Sequence, residues 1–389
     1  MTDPAFARTH YDAIVVGARC AGAATALQIA RAGGRVLVVD RERPGTDTLS
    51  THALMRPAVA LLDALGLIAA VERAGTPVIR TTSFSYGDET IPIAIKPEGG
   101  AQGLYAPRRF VLDRILAEAA EAAGAELHHG LTFRDVLRGP GGRVRGAVMT
   151  APDSTRLSAT ADIVIGADGR TSAVARAVGA PVRSTARERG AVLYGYFKGI
   201  ANEGTRWYFG HGNYAGAIHT NDGAHCVFAA VHPEVFKSTF AADPVGGIAG
   251  VIAQCDPALA EGLKDLPRAG HLRRFAGAPG HIRACAGPGW ALVGDAGYFK
   301  DPATAHGITD AFLDAHRLVA ALRSQPSCPT AYQRTRDAVA APMFDIARKI
   351  AALDWTFDAL KALHQDLNRC IKSEMAELRT APRPAATAA

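Results

Sequence analysis

The chain has 389 residues, 48% hydrophobic and 21% charged, and its 43 Lys and Arg against 37 Asp and Glu give a formal charge of +6. That length predicts roughly two or three domains with a sizeable core, and the composition excludes a disordered chain or a collagen-like repeat. The basic residues are dispersed and only 7% of residues are aromatic, so a nucleic-acid surface is not expected.

The opening residues, MTDPAFARTH, carry an acid and lack the apolar core of a secretory leader. No run of about 18 apolar residues predicts a membrane span. The cysteines, Cys20, Cys226, Cys255, Cys285, Cys328 and Cys370, are dispersed without C-x-x-C spacing. Reduced thiols and a cytoplasmic location are therefore expected.

In chain order, residues 11–16 form an apolar strand, 18–32 a helix of small residues and 35–40 a second strand. This is a βαβ unit and predicts a parallel sheet. Gly33 and Gly34 stop the helix. An amphipathic helix follows at 57–65, then strands at 78–86 and 90–95 joined by a Gly87-Asp88 hairpin turn. Helical spacing returns over 109–123, strands at 131–137 and 144–149 flank a glycine-rich turn, and a buried strand at 162–165 ends in Gly-Ala-Asp-Gly. Residues 191–231 are strand-rich with Gly and Asn-Asp-Gly turns, which predicts an antiparallel sheet inserted into the α/β part. A last apolar strand at 290–293 leads into GDAG and a long helix through Leu322. One helical stretch at 331–378 and a frayed tail complete the chain. The fold class is α/β, with a Rossmann-like βαβ unit.

Three places carry chemistry. Gly17-Ala-Arg19-Cys-Ala-Gly22 sits between strand and helix, where Gly17 permits a tight turn and Gly22 close packing. The helix N-terminus directs N–H groups and a positive dipole end at a pyrophosphate. Asp40, at the end of the second strand, suits a ribose diol. Arg19 stands where the fingerprint has its middle glycine, so it either adds charge near the phosphates or holds the backbone away. In the second place, Asp295 is placed to accept hydroxyls of a sugar-like chain, and the Gly307 and Ile308 amides open a helix suited to negative charge. The third is Asp168-Gly-Arg-Thr-Ser172, which also reads as a turn and helix cap. His211, His219 and His225 lie on strands without a paired acid, so a metal site is not expected. Tyr194, Tyr196, Trp207 and Tyr208 read equally as an aromatic pocket or as sheet packing.

The order of these motifs resembles the FAD-dependent group A monooxygenase superfamily, whose best-known fold is that of para-hydroxybenzoate hydroxylase. The strings DTLSTH (47–52), PRRFVLD and GDAGYFKDPATAHGITDAF resemble a bacterial FAD-dependent oxidoreductase branch of it, and the match covers most of residues 11–322. The resemblance implies a discontinuous FAD-binding domain (1–76, 101–180 and 281–327), an antiparallel-sheet substrate domain (77–100 and 181–280), a C-terminal helical region (328–378) and a flexible tail (379–389). It assigns Gly17, Gly22, Asp40, Arg109, Val136, Asp168, Asp295, Gly307 and Ile308 to FAD, with Arg108 as the competitor of Arg109, and Arg19, Arg41 and Thr51 are expected near the cofactor beside them. Tyr194, Tyr196, Tyr208, His219 and Pro302 are assigned to the substrate pocket. In that fold the loop after the second strand approaches the isoalloxazine, so His52 is either a general base or a loop hydrogen-bonder, and His306 is a second catalytic candidate. The family's Pro-x-x-Gly-x-Gly reads PATAHG, with Thr304 taken to fill a glycine position. The implied activity is hydroxylation or epoxidation of a small organic substrate by NAD(P)H and O2 through a flavin C4a-hydroperoxide, in a monomer or homodimer without a membrane span. The rivals are a geranylgeranyl-reductase-like enzyme and a non-catalytic flavin-binding module.

Overall fold

The computed structural model describes residues 6–380. The chain begins with β1 (His10–Val16), α1 (Cys20–Arg31), β2 (Val36–Asp40), α2 (Arg56–Ala64) and α3 (Ile68–Arg73). Next come β3 (Thr81–Tyr86), β4 (Glu89–Ala94), α4 (Arg109–Ala122), β5 (Glu126–His129), β6 (Thr132–Arg138), β7 (Val144–Thr150), β8 (Arg156–Gly166) and α5 (Ala173–Val178). They are followed by β9 (Val182–Ala186), β10 (Ala191–Lys198), β11 (Thr205–Gly210), β12 (Asn213–His219), β13 (Ala224–Val231), α6 (Phe236–Phe240), α7 (Pro244–Ile252) and α8 (Pro257–Gly262). The last stretch holds β14 (Arg273–Phe275), β15 (Gly280–Arg283), β16 (Ala286–Gly287), β17 (Trp290–Leu292), β18 (Tyr298–Phe299), α9 (Gly307–Leu322), α10 (Thr330–Ala351) and α11 (Phe357–Thr380).

The strands β17, β8, β1, β2 and β5 lie side by side and run parallel. The apolar runs of β1 and β2 are buried almost throughout, as a parallel sheet covered on both faces requires. The small side chains of α1 let that helix pack closely against both α4 and α9. The hairpin of β6 and β7 attaches to β8 by antiparallel pairing. β8 extends to residue 156, earlier than its apolar core suggests, because its first half alternates exposed and buried side chains.

The inserted sheet has the order β14-β10-β13-β12-β11-β3-β4, so the early hairpin joins strands more than a hundred residues later. Alternation gives the sheet two different faces. Tyr194, Tyr196, Trp207, Phe209, Tyr214 and Phe228 form one buried face. Leu193, Phe197, Tyr208, Ala215 and Val227 form the other, covered by Ile248 and Ile252 of α7.

That parity overturns two pocket assignments. Tyr208 faces α7 and α8, and its hydroxyl donates to Asp256 at 2.7 Å. His219 shares the register of Tyr208 through Ala215 and so leaves the Tyr194 face as well. The expected C-terminal helices are α10 and α11, separated where Leu353 takes a left-handed φ of 59° and the Trp355 indole N–H donates to the Ile350 carbonyl at 2.8 Å. A side chain thereby satisfies an end carbonyl of α10 and the chain turns into α11. α11 runs on to Thr380, past the expected boundary at 378, and the remainder of the expected tail lies outside the described residues.

Candidate functional site

The turn from β1 into α1 is built for close approach. Gly17 has φ +106°, and a Cβ there would meet the Ala167 carbonyl oxygen at 2.5 Å. A Cβ on Gly22 would come within 1.7 Å of the Gly17 carbonyl oxygen. The N-cap residue Arg19 makes no side-chain cap and the first turn of α1 carries no acid of its own, so an acceptor for its N–H groups must come from elsewhere. Asp40 is fixed from two sides: the Ala18 N–H donates to its Oδ2 at 2.7 Å and the Glu42 N–H to its Oδ1 at 2.8 Å. Arg109 is drawn to the same helix end, because Asp113 accepts both from Arg109 Nη2 at 3.2 Å and from the Cys20 N–H at 3.1 Å. Arg19 and Thr51 are half-buried nearby in the chain. Arg41 is 74% exposed and pairs with Glu42 at 3.3 Å, so no ion pair ties it to the cradle. Val136 is buried on β6 and its N–H donates to the Asp135 carboxylate at 2.8 Å. The Asp168 carboxylate is occupied by the Ser172 hydroxyl, by the Ala173 N–H at 2.6 Å and by the Val174 N–H at 3.1 Å. The capping alternative is therefore the geometry found there.

The second part is the loop from β17 to α9. The Gly294 N–H donates to Asp314 Oδ2 at 2.9 Å, which seats the Gly-Asp turn on α9. Asp301 accepts the Gly190 N–H at 2.8 Å and the Ala303 N–H at 3.0 Å, tying the loop to the strand region beside β10. Pro302 is exposed, Ile308 is buried, and Gly307 has no atom within 4 Å of where a Cβ would stand. The left-handed residue in this loop is Ala305, at φ 50°. It is the fourth residue of PATAHG, so the missing glycine falls at Ala305 and not at Thr304, which lies in a short 3-10 turn. Ala305→Gly is expected to stabilise the protein by about 0.5–1 kcal/mol, because the relieved Cβ clash exceeds the added freedom of the unfolded chain. Denaturant unfolding measures it, and an unchanged or lower midpoint contradicts it.

His306 is fully buried, and its Nε2 lies 2.9 Å from Oε2 of Glu374 on α11. Glu374 fixes the ring at the start of α9, and its Nδ1 has no partner among the described residues. Asp310 lies beside it, paired with the Lys300 ammonium. His306, Asp310 and Glu374 have cation-ligand geometry, with ligand atoms within 4.8 Å of one another, but the lysine already supplies the cation.

Burial pushes the carboxyls of Asp295, Asp301 and Asp314 up to about 6. The folded chain then holds protons that the unfolded chain has released, so each of these groups removes stability as pH rises through about 4 to 6. Asp314→Asn is therefore expected to lose less stability than the parent between pH 5 and pH 7. Urea unfolding at both pH values tests this, and equal losses contradict it.

The third part lies under the buried face of the inserted sheet. His52 is 1% exposed and has a left-handed φ of 68°, a strained conformation for a side chain of its size. Its Nε2 meets the Tyr196 hydroxyl, and its Nδ1 has no partner among the described residues. The Ser50 N–H donates to the Tyr194 hydroxyl at 3.1 Å, so both tyrosines of β10 hold the 47–52 loop. Burial, then the charges of Arg108, Arg109 and Arg273, hold the imidazole well below its ordinary range. The ring is therefore held neutral and resists protonation.

These parts define a dinucleotide-binding protein with a buried aromatic sheet face. The FAD binding domain family matches residues 10–195. Menaquinone reductase of Mycolicibacterium smegmatis is 30% identical over 374 residues, covering 89% of this chain and 85% of that protein. 6-methylpretetramide 4-monooxygenase of Streptomyces rimosus is 30% identical over 179 residues, 44% of this chain and 41% of that protein. The flavin-dependent brominase Bmp2 has the same fold, with a TM-score of 0.79 at 18% identity over 97% of each chain. The chain belongs to the FAD-dependent group A monooxygenase superfamily and is a flavin-dependent oxidoreductase. Among the described residues no helix is long and apolar enough to cross a membrane.

Proposed function

We propose that the protein is a monooxygenase that uses NAD(P)H and O2 to hydroxylate or epoxidise a small aromatic or polyketide-like substrate. The observation that carries this reading is the buried His52–Tyr196 pair on the aromatic face of the inserted sheet. A water-excluding pocket of this kind suits a reactive oxygen donor that water would waste. The glycine turn at the start of α1 and the fixed Asp40 fit FAD, whose flavin supplies hydride acceptance and oxygen chemistry when bound.

The chain's own residues have separate tasks in this proposal. Gly17, Arg19, Gly22 and Arg109 take the pyrophosphate, Asp40 takes the ribose, and Val136 offers its backbone to the adenine. Asp295 takes the ribityl hydroxyls, and the Gly307 and Ile308 amides stabilise charge on the flavin pyrimidine. Thr51 belongs to the loop that faces the ring, and Asp168 holds α5 in place behind it. Tyr194 and Tyr196 wall the substrate, Pro302 lies at its margin, and neutral His52 accepts a proton at its imidazole through Tyr196 or directly.

A second reading has specific support. The relative matched over most of its length is named a menaquinone reductase, so reduction of the substrate without oxygen is the alternative. Substrate-stimulated NAD(P)H oxidation, followed under air and under argon, separates them. Product formed only under air supports oxygenation, and equal product under argon supports reduction.

A further inference from the structure

Positive charge gathers at the Tyr196 face of the inserted sheet. Asp47, Arg108 and Arg273 reach it from the 41–55 loop, the start of α4 and the edge strand β14. Asp47 Oδ2 meets Arg108 Nη2 at 3.0 Å and Arg273 Nη2 at 3.1 Å, while its Oδ1 accepts the Thr48 N–H at 3.0 Å. Each guanidinium offers five N–H donors and commonly meets a carboxylate through two of them. Here two guanidiniums share one oxygen, and Arg108 Nε is buried without a partner. The Arg108 side chain is only 14% exposed, so water has little access to those free donors. One carboxylate against two guanidiniums leaves one net positive charge among neutral groups. Arg109 does not add to this excess, because Asp113 answers it. Arg108 also lies 3.6 Å from the centroid of the Tyr196 ring, whose hydroxyl meets His52.

We propose that Arg108 and Arg273 form an anion subsite and that the substrate is an organic anion, presenting a carboxylate or enolate oxygen to the two guanidiniums. An anion bound there lies next to the tyrosine that contacts His52, so one end of the substrate is fixed while the other meets the proton acceptor. The inference rests on the reading that this pocket holds the substrate. It does not depend on whether the reaction is oxygenation or reduction, because its test reads binding alone.

The test titrates the FAD-loaded protein with benzoate and with benzamide, equal in shape and different in charge, and follows the visible flavin absorbance. Benzoate is expected to bind at least about tenfold more tightly, the worth of one charge-assisted hydrogen bond. Arg273→Gln removes that preference at unchanged FAD content. Arg273→Lys retains part of it, which separates lost charge from a folding defect. Equal affinities, no response to benzoate, or an undiminished preference in Arg273→Gln overturns the proposal. Displacement of benzoate by adenosine 2′-phosphate assigns the subsite to the nicotinamide cofactor and overturns the substrate assignment.

Discussion

Gly22→Ala is expected to yield a protein that retains no FAD and has lost about 3 kcal/mol or more of stability. The added Cβ would stand 1.7 Å from the Gly17 carbonyl oxygen and 3.1 Å from the Ala167 Cβ. The nearest obstacle is backbone and cannot rotate away, so α1 must move off the turn and the cradle opens. Overpacking of this kind lies at the upper end of the usual 1–3 kcal/mol, roughly. Gly250→Ala is the matched control. A Cβ on Gly250 meets nothing within 4 Å, and that substitution is expected to stabilise α7 by about 0.5–1 kcal/mol. Flavin absorbance per mole of protein and the unfolding midpoint check both. A yellow, stable Gly22→Ala protein contradicts the cradle.

His52→Asn is expected to lower turnover about 10²–10⁴-fold while FAD content and fold persist. Asparagine tolerates the left-handed φ of 68°, so the loop keeps its backbone geometry, although its amide stops short of the Tyr196 hydroxyl that Nε2 meets. It cannot hold the proton. His52→Ala loses the same contact, adds backbone strain at the left-handed φ and is expected to fall at least as far. The parent protein should also lose activity in acid, below the ordinary histidine range, because burial holds the imidazole neutral until then. That acidic limb disappears in His52→Asn. Retention of turnover within about threefold makes His52 a loop hydrogen-bonder only.

How much of this was legible in the sequence follows from how local each feature is. The Gly17, Gly22 and Asp40 constellation spans one βαβ unit, and β1, α1 and β2 form where the periodicity places them. The Gly-Asp loop and the start of α9 are equally local, and Pro-x-x-Gly-x-Gly counted along PATAHG puts the missing glycine at Ala305, where the backbone is left-handed. The pocket is different. His52 and Tyr196 are 144 residues apart, and His306 and Glu374 are 68 apart. No spacing rule joins them, because sheet order and helix packing do. Tyr208 and His219 were placed in the pocket by strand composition, whereas the register sends them to the face under α7. Arg273 gave no signal at all: its strand is three residues long and takes its place only by pairing with β10.

Supplying isotope-labelled O2 with NAD(P)H and a converted substrate, and weighing the product, tests the central proposal most directly. The account predicts one labelled oxygen atom in each product molecule, one NAD(P)H consumed for it, and no product without O2. A product that gains two hydrogens, carries no label and forms equally well without O2 contradicts oxygenation and leaves the reductase reading.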